Sequence, residues 1–531
     1  MKKIIIVLIL STLSSISSYA QMSEIEKIGI KFSQLLYYIE NLYVDTVNIE
    51  QLSDAAITTM LAELDPHSSY IPAKDVESMN EAIMGNFEGI GISYNFINDT
   101  VTVLQVISGC PAEKVGILPG DKITHVDGQN VAGVKLKWRT EIPKLIRGKK
   151  GSTVEVVVAR RGEKKSLTFN VVRDKIPIYS VDAAYYVAPN IGYIKLNSFS
   201  ATTTKEISDA LEKLQKSGDM QSLILDLQSN GGGLMSAAID LVNLFIPRNQ
   251  LIVYTEGENA KRQDAVSTAG NKLPSDLNLT ILIDEYSASA SEITAGGLQD
   301  WDRATIVGRR SFGKGLVQRP LRMNDGSEVR LTVARYHTPS GRCIQKPYTE
   351  GKEKYYKDLE TRYNHGELIN SDSISFPDSL KYYTLKENRL VYGGGGIFPD
   401  IFVPLDTAKY TKYYRNVVAK GVFNTTVSKY VDSNRKKLER QYKTFEEYKE
   451  RYVADEKILT EMMENATTEG IEYNEEEFEL SKEMMMLQIK AVIAQSLFGT
   501  SCYYEISNSR NDIIQRAIEN ILKRSPENFL K

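Results

Sequence analysis

Cysteine is nearly absent. Cys110, Cys343 and Cys502 are the only three in 531 residues. Three is odd and sparse, so no disulfide framework is implied, and one pair stays open as an option. Only four histidines occur: His67, His125, His337 and His365. None falls in a His-Glu-x-x-His spacing and there is no Cys-x-x-Cys, which argues against a zinc site. No sign of charge dominates: 65 Lys and Arg face 68 Asp and Glu, a net charge of −3. Such a balance lacks the basic footprint of a nucleic-acid-binding protein. No long apolar run follows the N-terminal stretch, which excludes a multi-span membrane protein. The Gly-x-Ser-x-Gly nucleophile elbow is missing as well. The remaining composition is ordinary, 42% hydrophobic, 25% charged and 9% aromatic. That excludes collagen, wholesale disorder and a small disulfide scaffold. At roughly 150 residues per domain the length suggests about three or four domains.

The N-terminus reads as an export signal. Met1-Lys2-Lys3 is basic, Ile4 to Leu10 is apolar, and Ser18 and Ala20 put small residues at −3 and −1 before Gln21. These are the three parts of a cleaved secretory signal. No cysteine follows the cleavage site, so a lipoprotein anchor is not expected. The chain is therefore expected to be periplasmic or otherwise exported, where ATP does not drive chemistry.

Beyond residues 1–20 the chain divides into four regions. Residues 21–84 read as helical: Phe32, Leu35, Leu36, Ile39, Leu42 and Tyr43 recur at helical spacing, and Ser53-Asp54 is expected to cap a second helix through Ile57, Leu61 and Leu64. Residues 85–173 are β-rich, with alternation at Val154, Val156 and Val158 and at Leu167, Phe169 and Val171, plus two short helices. Residues 174–405 alternate strands and helices, the pattern of an α/β core. Residues 406–531 are Lys/Glu/Tyr-rich and helical, with Leu438, Tyr442, Phe445 and Tyr452 in helical register. The fold class is multidomain α+β.

Two loops carry candidate chemistry. Gly308 to Lys314 has the spacing of a phosphate-binding loop, but Gly315 stands where a Ser or Thr would hold magnesium, and an exported protein has no ATP supply. Ser287-Ala288-Ser289-Ala290-Ser291-Glu292 follows the apolar strand Leu279 to Asp284. Small residues at a strand-to-helix junction allow a tight turn and place a hydroxyl at the strand's C-terminal edge, where open α/β sheets bind ligands. The helix N-terminus that follows favours developing negative charge. Lys314 lies in a Gly-Lys-Gly turn. A neutral lysine can serve a serine as base. At pH 7 an unperturbed lysine is only about 1 in 2,500 neutral, and lowering its pKa by ~3 units costs about 4 kcal/mol of differential interaction. Burial supplies shifts of that size.

These stretches together resemble the carboxyl-terminal processing peptidases, or tail-specific proteases: exported serine endopeptidases that pair a PDZ domain with a Ser/Lys catalytic core. The resemblance covers roughly residues 30–405. It rests on Leu64 to Ser68, Gly89-Ile90-Gly91-Ile92, Ala112 to Asp121, Asp226 to Gly233, Ser287 to Asp300, Ser311 to Gln318, Thr338 to Arg342 and Gly395 to Asp400, all in family order. It implies a PDZ domain at 85–173 and a ClpP/crotonase-like α/β protease core at 174–405. It implies Ser289 as nucleophile, Lys314 as general base and Gln318 as the residue that orients the lysine. The oxyanion hole would use backbone amides of Gly232 or Gly233 and of Ala290. Gly89, Ile90, Gly91 and Ile92 would hold the substrate's terminal carboxylate. One departure is Gln228, where the family commonly has arginine: the backbone of the oxyanion hole is expected to be kept, and any salt bridge made by that arginine is not expected here.

The function expected from this is an exported serine endopeptidase that recognises protein C-terminal tails through its PDZ domain and cleaves through an acyl-enzyme, in envelope protein processing or quality control. No metal or cofactor is implied. The expected partners are protein or peptide substrates with free apolar C-termini, an adaptor as an option, and a second copy of the chain through its helical ends. Two rivals stand beside this reading: a catalytically inactive PDZ-bearing scaffold or chaperone, and a conventional Ser-His-Asp hydrolase using His337 or His67.

Overall fold

The structure is a computed structural model that describes residues 23–97, 99–133, 141–268, 273–274 and 276–524. The expected export signal lies outside the described residues. Two compact units are present: residues up to Lys74 with Arg319–Leu331, and Asp75–Gln318 with Thr332 onward.

In the first unit, the helix Glu24–Leu42 starts at Ser23, whose amide donates to Glu26 Oε2 at 2.7 Å. The helical spacing is real, yet no residue of this helix is buried. A second helix runs Ile49–Ala62 and is capped by Asn48, whose Oδ1 accepts from the Gln51 amide at 3.0 Å. The expected start at Ser53-Asp54 is therefore corrected. Asn48 is an equally good cap and comes first in the chain, while Asp54 instead accepts from the Tyr70 hydroxyl at 2.8 Å. Asp65 ties the following junction, accepting from the amides of His67 and Ser68 at 2.7 and 2.9 Å. Ser69–Ile71 then pairs antiparallel with Glu328–Arg330.

In the second unit, six antiparallel strands between Ile92 and Val172 build a small sheet around Ile92, Val101, Val103, Ile123, Val154, Val156, Val158 and Val171. Short helices at Pro111–Val115 and Ile142–Ile146 flank it. Asn86–Gly89 pairs with Asp174–Pro177, so the entering and leaving chains run side by side.

The α/β core has strands β1 (Val181–Ala188), β2 (Ile191–Leu196), β3 (Ser222–Asp226), β4 (Asn278–Ile283), β5 (Thr305–Gly308), β6 (Leu316–Arg322), β7 (Glu328–His337) and β8 (Ile401–Phe402). Its helices are α1 (Thr203–Ser217), α2 (Met235–Asn243), α3 (Ala290–Asp300) and α4 (Asp512–Arg524). The main sheet has the order β1-β2-β3-β4-β5-β8, and every pair except β1·β2 is parallel. Strands β2 and β3 are buried at every position, which is why they read as continuous apolar runs rather than alternating ones. One face packs on α1, α2 and α3. The other is covered by α4, whose Ile513, Ile514, Ala517 and Ile521 meet Ile191, Tyr193, Ile224, Leu282 and Val307. The last helix of the tail thus completes the core sheet.

The rest of the tail has its own core, centred on Val427, Leu438, Tyr448, Met462, Met485 and Ile489. The register through Leu438, Tyr442, Phe445 and Tyr452 does not lie on one helix, as the sequence suggested. Val422–Gln441 ends, and Thr444 caps a new helix Phe445–Arg451 through the Glu447 amide. Tyr442, Tyr448 and Tyr452 still meet across the break. Among the described residues no helix is long and apolar enough to cross a membrane.

Candidate active site

Ser289 sits where β4 turns into α3. Its backbone takes φ 58° and ψ −113°, a conformation that costs an ordinary residue about 1–3 kcal/mol and survives only where its surroundings hold it. Those surroundings are specific. Ala288 N and Ser291 Oγ both donate to the Asn230 carbonyl, at 3.0 and 2.8 Å. The Ser289 amide donates to Glu292 Oε2 at 2.7 Å. Glu292 is the third residue of α3, the position from which a glutamate reaches back to the cap.

The same carboxylate organises the lysine loop. Glu292 Oε2 accepts from the Lys314 amide at 2.9 Å, and Oε1 accepts from the Gly313 amide at 2.7 Å and from Ser311 Oγ at 2.5 Å. The amides of Ser289 and Lys314 therefore share one oxygen. Glu292 is buried. Burial pushes its carboxyl up, while the hydrogen bonds from Ser311, Lys314, Gly313 and Ser289 pull it back, and the net shift is upward. Tyr336 of β7 closes the opposite side: its hydroxyl lies 2.6 Å from the Lys314 carbonyl oxygen and 3.1 Å from that of Ser289. Phe312 N also donates to the Ser287 carbonyl at 3.0 Å.

The Gly-Lys-Gly turn is packed from outside. Gly313 has φ +88°, and a Cβ at Gly315 would fall 2.8 Å from the Gln345 amide nitrogen. Behind it, Arg310 forks onto Glu367 at 2.6 and 2.7 Å, and Arg362 joins the same carboxylate at 2.7 Å. Gln318, four residues on in β6, donates to Thr332 Oγ1 at 3.2 Å. Ser289, Lys314 and Gln318 are all half-buried.

The glycine run lies against Ser289. A Cβ at Gly232 would be 2.8 Å from Ser289 Cβ and 2.7 Å from the Ala288 carbonyl oxygen. The Gly232 amide is engaged, donating to Asn230 Oδ1 at 2.9 Å. Gly233 bridges to Phe199 through its neighbours, with Phe199 N bonded to Gly232 O and Leu234 N to Phe199 O. In such a bridge the amide of Gly233 itself points to the opposite edge. The amides of Gly233 and Ala290 find no acceptor among the described residues. In front of the run, Asp284 holds Ser229 through its amide and hydroxyl at 2.9 and 3.1 Å. Burial and then Glu285 push the Asp284 carboxyl upward.

A second concave site lies on the β-rich module. Phe87, Gly89, Ile90, Gly91, Ile92, Tyr94, Pro143, Ile146 and Arg147 line a cavity of about 80 Å³. Gly91 has φ +83°, and a Cβ there would overlap Cys110 Cβ at 2.3 Å. The carbonyls of Ile90 and Gly91 accept from Ala112 and Ile107, whereas their amides find no acceptor among the described residues.

Comparison with known proteins gives these sites a family. The model of peptidase family S41 matches residues 190–353 and that of the PDZ domain matches 88–171. A "Probable CtpA-like serine protease" of Staphylococcus haemolyticus (strain JCSC1435) is 34% identical over 365 residues, 68% of this chain and 70% of that one. The chain belongs to the CtpA-like serine proteases of peptidase family S41. A namesake from Staphylococcus aureus (strain N315) is 36% identical over 317 residues, 59% of this chain and 62% of its own. Among solved structures, a photosystem II D1 C-terminal processing protease aligns over 71% of this chain and 93% of its own at 26% identity, with a TM-score of 0.36. Residues 413–499 match a family of unknown function, DUF8443. This CtpA-like protein is a serine-type peptidase with a PDZ domain.

In this CtpA-like protease, Asp226 is paired although position 228 is glutamine. Lys195 Nζ lies 3.4 Å from Asp226 Oδ1 and also donates to the Gln228 carbonyl, while Tyr193 donates to Oδ2 at 2.6 Å. The cation beside Asp226 is thus a lysine from the neighbouring strand β2. His337 is turned to other partners: it stacks on Tyr254, with Nδ1 3.1 Å from the Gly341 carbonyl and Nε2 3.4 Å from Glu256. Sequence reasoning did not single out Asn230, Asp284 or Tyr336. Asn230 adjoins the glycine run and Glu292 stands at capping-box spacing, so both had a local signal. Tyr336 had none, because its partners lie 22 and 47 residues away.

Proposed function

We propose that this CtpA-like peptidase is an exported endopeptidase that takes hold of protein C-termini through its PDZ groove and hydrolyses peptide bonds with Ser289 and Lys314. The observation that carries this reading is the shared Glu292 oxygen, which brings the amides of the two residues together from loops 25 residues apart in sequence. The Ile90 and Gly91 amides receive the terminal carboxylate, as amides beside a sheet edge do in peptide-binding modules. Ser289 Oγ attacks the scissile carbonyl carbon and its proton passes to neutral Lys314 Nζ. The amides of Gly233 and Ala290 hydrogen-bond the oxyanion. Collapse breaks the C–N bond, Lys314 returns the proton to the leaving amine, and an ester remains on Ser289. Water then attacks this ester with Lys314 again as base, restoring the hydroxyl. Gln318 orients the lysine from β6.

The test is cleavage of an unfolded reporter ending in an apolar tail by wild type, Ser289→Ala and Lys314→Ala. Cleavage by wild type alone, reduced when the tail is amidated or charged, is the expected result. Persistent cleavage by Lys314→Ala overturns the lysine base. Binding of the tail without cleavage by any of the three turns the reading toward a scaffold. Activity resting on a lysine rises with pH beyond the histidine range, and His337→Ala is expected to leave it unchanged. Export is tested by the N-terminal residue of the secreted protein, expected at Gln21.

A further inference from the structure

We infer that Tyr336 is a positioning residue of the serine–lysine pair: its single hydroxyl, carried in from β7, holds the carbonyls of Ser289 and Lys314 while Glu292 holds their amides. The inference rests on Ser289 and Lys314 being nucleophile and base. Its geometry is direct. The hydroxyl oxygen lies 2.6 Å from Lys314 O and 3.1 Å from Ser289 O. One proton serves both acceptors, strongly the nearer and more weakly the farther. The ring is 1% exposed and belongs to the main core cluster, so the phenol cannot swing away. Its own amide donates to the Gly315 carbonyl at 2.9 Å, which locks the strand to the lysine turn.

The consequence concerns the peptide units that flank each residue, above all those on either side of Lys314. Ser289 sits in a strained backbone conformation, and Lys314 stands between two glycines. Each has its amide on Glu292 and its carbonyl on Tyr336. The Ser289 carbonyl also accepts from the Glu292 and Ile293 amides of α3 at 2.8 and 2.9 Å, so the phenol bears chiefly on Lys314. A residue with only one of its two flanking peptide units pinned can still turn about φ or ψ and carry its side chain with it. With both units pinned it cannot. Burial, the largest cause, and the nearby Glu292 raise the phenol well above its ordinary range, so the hydroxyl stays a donor at every pH where the peptidase works. Displacement of a reacting group by about 1 Å costs on the order of a hundredfold in rate. Tyr336 therefore acts on turnover and not on substrate capture.

The experiment measures two things on the full chain: acylation of Ser289 by a fluorophosphonate probe, and kcat and KM on the apolar-tailed reporter. The variants are Tyr336→Phe and, as a matched control, Tyr448→Phe, which removes a buried phenol that donates to the Lys490 carbonyl at 2.9 Å in the helical tail. The expected result is a fall of about tenfold or more in acylation rate and kcat for Tyr336→Phe, with KM within about twofold. Tyr448→Phe, at a similar loss in melting temperature, is expected to keep the wild-type rate. Wild-type acylation by Tyr336→Phe, or an equal fall in both variants, overturns the inference. No labelling of Ser289 in wild type refutes the nucleophile itself, a result distinct from either. Should Tyr336→Phe fail to fold, 4-aminophenylalanine in place of Tyr336 restores an N–H donor in the same ring. Recovery of activity then supports the inference, and a folded but slow protein overturns it.

Discussion

Gly232 shows how tightly single residues are constrained. Its φ of +99° disfavours any side chain, and a Cβ would sit within 2.8 Å of both Ser289 Cβ and the Ala288 carbonyl oxygen. Neither neighbour can yield without moving Ser289. Gly232→Ala is expected to lower the rate of Ser289 labelling by about a hundredfold and to destabilise by about 1–3 kcal/mol. Probe labelling beside a denaturant melt separates the two effects. Wild-type labelling in that variant would show that the glycine run does not constrain the Ser289 turn. Glu292 carries a different constraint. Its four donors need four acceptor sites, which a carboxylate has and an amide does not. Glu292→Gln turns two of those sites into donors facing donors and is expected to reduce labelling at least as much.

Elements hold the site through buried charge. The C-terminal end of α3 is fastened by Asp300 and Arg342, 2.7 Å apart with both side chains fully buried. Removing one partner leaves the other charged and unpaired, so Arg342→Met is expected to cost about 3–5 kcal/mol, read as a shift of the urea midpoint with unchanged slope. The lysine loop has a pH-dependent fastener. Burial pushes the Glu367 carboxyl up, but Arg310 and Arg362 more than offset it and hold it below the usual glutamate range. A lowered folded-state value means stability present above the unfolded pKa and lost as pH falls through the folded one. Glu367→Gln is therefore expected to melt lower than wild type at pH 7, and the gap should close as pH drops below about 4. A gap that stays constant down to pH 3 would contradict this assignment.

At the scale of the whole second unit, the tail is part of the peptidase fold. Helix α4 buries Ile513, Ile514, Ala517 and Ile521 against the sheet face opposite α3, and Arg524 donates to Thr305 Oγ1 at 2.9 Å. A fully buried isoleucine is worth about 1.5–3 kcal/mol, and a domain's entire stability is about 5–15 kcal/mol. Ending the chain before Asp512 is thus expected to abolish cooperative unfolding, checked by near-ultraviolet circular dichroism and calorimetry. A sharp transition in the truncated protein would show that the sheet is stable with one face bare.

What sequence alone determined is the set of local signals and their chemistry. The small-residue turn before α3, the glycine run, the Gly-Lys-Gly turn and the alternating β-rich module are local patterns, set by backbone sterics and side-chain period, and they read correctly as elements. Helix starts were less legible where two good caps compete, as at Asn48 and Ser53, because capping strength is similar and position along the chain decides. The tail's aromatic register misled for a related reason: helical spacing marks which side chains meet, not whether the backbone between them is continuous. Only tertiary structure decided which partners lie on which groups. That one Glu292 oxygen serves both loops, that Tyr336 closes them from β7, that Lys195 pairs Asp226 beside Gln228, and that α4 covers the core sheet are long-range facts. They depend on how the sheet brings distant segments together, and burial makes each such contact count, since a polar group taken from water must find its partner inside.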